Sequence, residues 1–190
     1  MTYLLIIISA VFVNNVVLAQ FLGVCPFLGV SKKFSTAIGM SSAVIFVIVI
    51  ATILTWFVQK LILEPFNVTY LQTVAFILLI ASMVQIVELV LKKVSPPLFQ
   101  ALGIFLPLMS TNCAILGVAI MTINRDYSLL EGVAFSAATG VGFGLALVIF
   151  AGIREQIELT NIPKGMQGAP ILLVLTGILA MAFMGFAGMV

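Results

Sequence analysis

The chain has 190 residues, of which 63% are hydrophobic and only 7% are charged. Soluble domains carry about 25% charged residues because their surfaces face water, so this composition excludes an ordinary soluble globule. Eight Lys or Arg residues against six Asp or Glu give a net charge of +2. The basic residues form no continuous face of the kind that binds nucleic acid. We therefore expect an integral membrane protein with no nucleic-acid partner, in contact with membrane lipid.

Six apolar stretches are long enough to cross a bilayer, which takes roughly 20 residues in a helix. They are approximately Tyr3–Val30, Ala37–Val58, Tyr70–Leu91, Leu98–Ile123, Val133–Ile153 and Ala169–Val190. Short charged loops separate them, at Lys32-Lys33, Lys60 with Glu64-Pro65, Lys92-Lys93 with Pro96-Pro97, Arg125-Asp126, and Arg154 through Lys164. No cleavable leader is expected, since an apolar stretch follows Met1-Thr2-Tyr3 without a basic segment. The sequence thus predicts one all-α, six-span membrane domain over residues 1–190.

The basic residues are distributed unevenly among these predicted loops. The first, third and fifth loops carry six of them, namely Lys32, Lys33, Lys92, Lys93, Arg154 and Lys164. The second and fourth loops carry only Lys60 and Arg125. Because cytoplasmic loops are enriched in Lys and Arg, we expect the odd-numbered loops in the cytoplasm and both termini on the outer side.

Two of the six stretches contain residues that interrupt a helix. The first contains Gly23, Pro26 and Gly29 around Cys25, and the fourth contains Pro107, the polar run Ser110-Thr111-Asn112-Cys113 and Gly117. The backbone groups freed at such a break need partners inside protein or water. Discontinuous membrane helices commonly mark a binding site near the midplane. The sequence therefore predicts that spans one and four are broken near the cysteines.

The two breaks also resemble each other in sequence. Cys25–Val30 matches Cys113–Val118 at four of six positions, and a second match pairs Phe34–Gly39 with Phe135–Gly140. The matches occur in the same order in two halves of three spans each. Because three is an odd number, the second half would enter the membrane inverted. We predict two inverted three-helix repeats, about residues 1–95 and 96–190, which bring Cys25 and Cys113 towards one another.

The two cysteines are the candidate functional residues. A free Cys in an apolar helix usually behaves as a small hydrophobe, but these two hold equivalent positions beside helix breaks. Thiolates suit iron–sulfur clusters, zinc and copper(I), and the chain has no His as an alternative ligand. A 2Fe–2S cluster generally takes four Cys. A site of that type would therefore need a partner that supplies two more.

Polar side chains accompany both cysteines at membrane depth: Asn14, Asn15, Ser110, Thr111 and Asn112. An unpaired polar group there is costly. We expect these residues to cap the broken helices or to donate hydrogen bonds to cluster sulfurs. A direct role in an ion pathway and hydrogen bonds between helices are the alternatives.

Longer segments around both breaks carry a family resemblance. The segments are residues 13–33 (VNNVVLAQFLGVCPFLGVSKK) and 102–117 (LGIFLPLMSTNCAILG), with shorter ones at 125–128, 152–155 and 183–189. They resemble the RnfA/NqrE family of membrane subunits, over the whole chain. The sequence around Cys25 favours the Rnf branch over the branch of the sodium-pumping quinone reductase.

The resemblance implies a role in electron transfer. Such subunits pair with a homologous sister of opposite membrane orientation, here an RnfE/NqrD-like chain, and share an intramembrane 2Fe–2S cluster with it. Cys25 and Cys113 would be this chain's two metal ligands. Further Rnf subunits would carry flavin and iron–sulfur centres, and the complex would couple electron flow between ferredoxin and NAD to sodium or proton translocation across a prokaryotic inner membrane.

No flavin is expected on this chain itself. Ser136-Ala-Ala-Thr139 only loosely resembles the flavin-attachment sequence of sister subunits, because it lacks the Gly and lies at a membrane span. Two other functions stay open from the residues alone. One is a small secondary transporter whose broken helices bind a solute, and the other is a membrane thiol–disulfide carrier that uses the two cysteines on each other.

Overall fold

The computed structural model describes residues 6–30, 34–66, 69–94, 106–158 and 168–185, and the regular secondary structure within these ranges is helical. We number the main helices α1 (Val24–Val30), α2 (Phe34–Val58), α3 (Gln72–Val94), α4 (Leu106–Ser110), α5 (Cys113–Asn124), α6 (Leu129–Glu158) and α7 (Ala169–Met184). The predicted loop residues Lys32, Lys33, Pro96, Pro97 and Lys164 lie outside the described ranges.

Three helices in the described part of the chain are long and apolar enough to cross a membrane: Thr36–Phe66, Gln72–Val90 and Leu129–Ile157. Two shorter apolar helical segments, Leu108–Asn124 and Pro170–Met184, fall within the fourth and sixth predicted spans. The prediction of an all-α, multi-pass membrane protein is confirmed to this extent. Six complete spans, the inverted repeat and the location of the termini stay predictions.

Two of the predicted loops contain helix instead. A π-helical segment, Gln59–Leu63, and a short turn of α-helix, Glu64–Phe66, continue α2 through the second loop. Arg154 lies inside α6 rather than in the fifth loop. Charged residues can extend a helix beyond its apolar part, and Lys60 and Glu64 pair at 3.2 Å one turn apart. Charge alone is therefore a poor marker of where these helices end.

The core lies between α2 and α6, which form the most extensive helix pair of the described residues. Glycines of α6 allow the close approach: a Cβ added at Gly140 would lie 3.2 Å from the Cα of Ile45, and one added at Gly144 would lie 3.1 Å from the Cβ of Ser41. Small residues permit this kind of packing between membrane helices. α6 thereby becomes the fixed element against which both breaks are positioned.

Large apolar side chains cover other faces of the bundle. Phe46, Leu78, Leu130 and Met181 are all more than half exposed. Contiguous apolar surface is a liability in water but is the expected surface of a protein that contacts lipid or other membrane subunits. The exposure pattern therefore agrees with the composition.

Candidate metal-ligand site at two helix breaks

The first break precedes Cys25. A π-helical segment, Ser9–Val13, ends at Asn14, and regular helix resumes only at Val24. The sequence predicts a break at Gly23, Pro26 and Gly29, and this prediction is wrong for Pro26 and Gly29, which both lie inside α1. Pro26 lies in the first turn of α1, where the missing N–H and the fixed φ of proline are tolerated.

Asn15 connects the first break to α6 by a hydrogen bond. Its side chain is buried, and Nδ2 donates to the carbonyl oxygens of Gly142 at 2.8 Å and Val11 at 3.2 Å. Oδ1 accepts a hydrogen bond from the backbone N–H of Val17 at 3.1 Å. One side chain thus satisfies backbone groups that the interrupted helix leaves open, as membrane depth requires. Asn15 therefore positions the chain that leads to Cys25.

The second break consists of Thr111 and Asn112, between α4 and α5. Asn112 is buried and caps α5, since its Oδ1 accepts from the backbone N–H of Ala114 at 3.0 Å. Its Nδ2 is buried with no hydrogen-bond partner among the described residues. Cys113 is the first residue of α5. The backbone N–H groups of the first turn of α5 therefore lie beside this cysteine.

Gly23 joins the two breaks. Its backbone N–H donates to Sγ of Cys113, with the nitrogen 2.9 Å from the sulfur, so the residue two positions before Cys25 contacts the second cysteine. Gly23 has φ +82°, in the left-handed region that favours glycine. A Cβ there would lie 2.7 Å from Cε2 of Phe143. The sequence pattern marks Gly23 only as a helix breaker and gives no sign that it donates to sulfur.

Both cysteines are free, with Cys25 exposed and Cys113 half-buried. Each lies in the first turn of a helix that follows a break. Within the described ranges, no three His, Cys, Asp or Glu side chains group closely enough to hold a metal ion. The two thiols can therefore supply only part of a four-ligand site, and the exposure of Cys25 leaves it accessible to another chain.

The remaining predicted site residues line the breaks with less burial. Asn14 is exposed, and its Nδ2 donates to Oγ of Ser9 at 3.1 Å. Ser110 ends α4 and is half-buried, while Thr111 is exposed. These positions agree with a role in shaping the breaks, and a role in hydrogen bonding to a cluster stays a prediction.

Gly23→Ala is expected to destabilise the protein by about 2–5 kcal/mol, because a left-handed non-glycine residue costs roughly 1–2 kcal/mol and overpacking costs roughly 1–3 kcal/mol more. The readout is the apparent midpoint of thermal unfolding in detergent. Gly152→Ala in α6 is the matched control, since a Cβ there meets nothing within 4 Å. Equal midpoints for the two variants would contradict the tight fit around Gly23.

The chain has apolar helices of membrane-spanning length and two interrupted segments, each followed by a cysteine. These features define a multi-pass membrane protein. A family model described as "Rnf-Nqr subunit, membrane protein" matches residues 3–190. The chain belongs to this Rnf-Nqr family of membrane subunits, as the resemblance predicted.

Individual relatives are similar over nearly the full length. The chain is 56% identical to the A subunit of an ion-translocating oxidoreductase complex of Syntrophotalea carbinolica, in a match that covers 98% of this chain and 97% of the relative. It is 53% identical to the A subunit of the Na⁺-translocating ferredoxin:NAD⁺ oxidoreductase complex of Acetobacterium woodii, covering 100% and 98% respectively. The A subunit of an ion-translocating oxidoreductase complex of Vibrio vulnificus is 48% identical, covering 99% and 98%.

Proposed function

We propose that this chain is the corresponding A-type membrane subunit of an Rnf-type ion-translocating ferredoxin:NAD oxidoreductase complex in a prokaryotic inner membrane. The names of its relatives support membership of such a complex. Within it, Cys25 and Cys113 contribute half the ligands of a 2Fe–2S cluster, and a homologous sister of opposite orientation contributes the rest. Electron flow through this cluster is coupled to sodium or proton translocation.

The contact between Gly23 and Cys113 carries the cluster proposal. It joins two breaks that are far apart in sequence, and it supplies an N–H···S hydrogen bond. Hydrogen bonds to sulfur and burial are among the properties that set the potential of an iron–sulfur centre. A half-buried thiol that only filled space would not need the hydrogen bond from Gly23.

The donor set of the site fits an iron–sulfur centre. Thiolates are soft ligands suited to such clusters. The buried Nδ2 of Asn112, which lacks a partner among the described residues, is a further donor beside the ligand. A bound cluster supplies one-electron transfer. This chain's own residues would hold the sulfurs, with Asn112 capping the helix that carries Cys113 and the N–H of Gly23 donating to its Sγ.

The direct test is the metal content of this chain purified together with its sister. We expect about two iron atoms and two acid-labile sulfides per pair of chains, as a 2Fe–2S cluster requires, and a visible absorption band that dithionite bleaches. An iron-free pair whose two thiols cycle to a disulfide would instead indicate a thiol–disulfide carrier. An iron-free pair that binds a solute with its thiols reduced would indicate a transporter.

A further inference from the structure

A second polar site lies at the opposite end of α5 from Cys113. There the helical extension of α2 and the connection between α5 and α6 enclose a cavity of about 260 Å³. Its polar lining comes from Gln59, Lys60, Glu64, Asp126, Ser128 and Glu131. The cavity is separate from the cysteine site and plays no part in the proposed cluster.

Gln59 is the buried polar group of this cavity. The residue is 6% exposed, and its Oε1 has no hydrogen-bond partner within the described part of the chain. A buried acceptor left unpaired costs free energy. Gln59 also begins the π-helical segment Gln59–Leu63, and π-helical turns are frequent at functional sites. The unpaired oxygen points to a ligand that carries positive charge or a donor.

The charges around the cavity favour a cation. Glu64, Asp126 and Glu131 are among the lining residues, and Lys60 is the basic residue there. Lys60 lies 3.2 Å from Glu64, so the charge of Lys60 offsets that of the Glu64 carboxylate. The negative charges of Asp126 and Glu131 then remain in the lining. Oε2 of Glu131 accepts hydrogen bonds from the backbone N–H and the hydroxyl of Ser128, and the start of α6 offsets part of its charge.

The neighbouring arginine does not neutralise this excess. Arg125 is absent from the lining, and its guanidinium group donates to the hydroxyl of Tyr127 at 3.3 Å and stacks 5.4 Å from the ring centre of Phe135. The net electrostatic character of the cavity is therefore negative.

We propose that this cavity binds a hard cation, Na⁺ or Ca²⁺, with Oε1 of Gln59 as its buried ligand and Asp126 and Glu131 as its charged partners. Both ions take oxygen ligands and keep bound water, for which the cavity has room. Tyr127 and Trp56 also line the cavity, and Nε1 of Trp56 donates to the backbone oxygen of Tyr127 at 3.3 Å. The lining contains no thiol or imidazole that would select a softer metal.

The protein carries its own probe of this site, because Trp56 is the only tryptophan of the chain and lines the cavity. The full chain in detergent is titrated with NaCl or CaCl₂, with choline chloride at matched ionic strength as the control. We expect a saturable change of Trp56 emission with at least one of the two cations and none with choline. The arm that saturates identifies the ion.

Gln59→Leu is expected to weaken the apparent cation affinity at least ten-fold. Gln72→Leu is the matched control, because Gln72 also has a buried side-chain atom without a partner in the described structure and does not line the cavity. Asp126→Asn is a second test that keeps the fold, since Asp126 is exposed with φ +51° and Asn tolerates the left-handed region. The cation affinity of Asp126→Asn should also fall. Glu155→Gln, in the exposed part of α6, should bind the cation as the unaltered chain does.

A second measurement detects cation binding that leaves the emission unchanged. The apparent unfolding midpoint of the unaltered chain should rise with the cation, as linkage requires, and the rise should be smaller in Gln59→Leu and Asp126→Asn. The proposal is overturned if neither the emission nor the unfolding midpoint changes specifically with a cation. It is also overturned if Gln59→Leu and Asp126→Asn bind the cation as tightly as the unaltered chain. Either result leaves the cluster proposal intact, since that depends on iron and sulfide content.

Discussion

Replacement of Cys25 or Cys113 by serine is expected to remove the cluster from the sister pair, with iron and acid-labile sulfide falling to background. Serine offers a hard oxygen in place of a soft sulfur, and the site has no spare thiol because the chain contains two cysteines. The chain should still insert into the membrane, since insertion depends on the apolar spans. Metal analysis of the purified pair and the amount of chain in the membrane fraction measure the two effects.

The two serine variants should differ in stability but not in iron content. Cys113→Ser alters the acceptor of the Gly23 N–H, whereas Cys25 is exposed and its replacement disturbs less packing. Ser82→Ala is a suitable control, because Ser82 is exposed on α3 and bonds only the carbonyl of Leu78 in its own helix. Full iron retention in either cysteine variant would exclude that residue as a ligand.

Expression of this chain without its sister is expected to give a colourless, iron-free protein in which both thiols titrate after solubilisation. The two cysteines are free, and the described residues contain no cluster of three or more potential ligands. Oxygen donors near the site, such as Asn112 and Ser110, are poor matches for iron–sulfur chemistry. Two thiolate charges without a metal would also be costly in an apolar interior.

Co-expression with the sister should restore one cluster per pair of chains. The same detergent and the same thiol reagent are used for both preparations, so that only the presence of the partner differs. A stoichiometric cluster in the lone chain would contradict the shared site and would require ligands within these 190 residues that the cysteine count does not provide.

Both breaks could be predicted from sequence, since Gly23 and Asn112 lie at them, but the contact that holds the first break could not. Ser110, Thr111 and Asn112 form a polar run immediately before Cys113, and an Asn at a helix start caps its own helix through local hydrogen bonds. The first break depends on Asn15, whose partner Gly142 is 127 residues away. No local pattern contains that information, and the local residues named with Gly23 include Pro26 and Gly29, which lie within α1.

The ends of the helices are predicted poorly for a related reason. Lys60, Glu64 and Arg154 are charged and their pattern predicts loops, yet they lie in helical segments. A charged side chain at the end of a membrane span can remain helical and reach the interface. The polar cavity depends on this extension, because Gln59 and Glu64 lie across from Asp126 and Glu131 only when α2 continues as helix.

Composition, apolar length and cysteine count belong to the chain alone, so they were sufficient to predict the class of protein, its helical secondary structure and the two cysteines at helix breaks. The packing of the helices decided which residues remote in sequence contact each other. Tertiary packing brings Gly23 to Cys113, places Asn15 on Gly142 of α6, and puts Gln59 in one cavity lining with Glu64, Asp126 and Glu131. These contacts join residues remote in sequence, and their energies exist only once the apolar faces have packed.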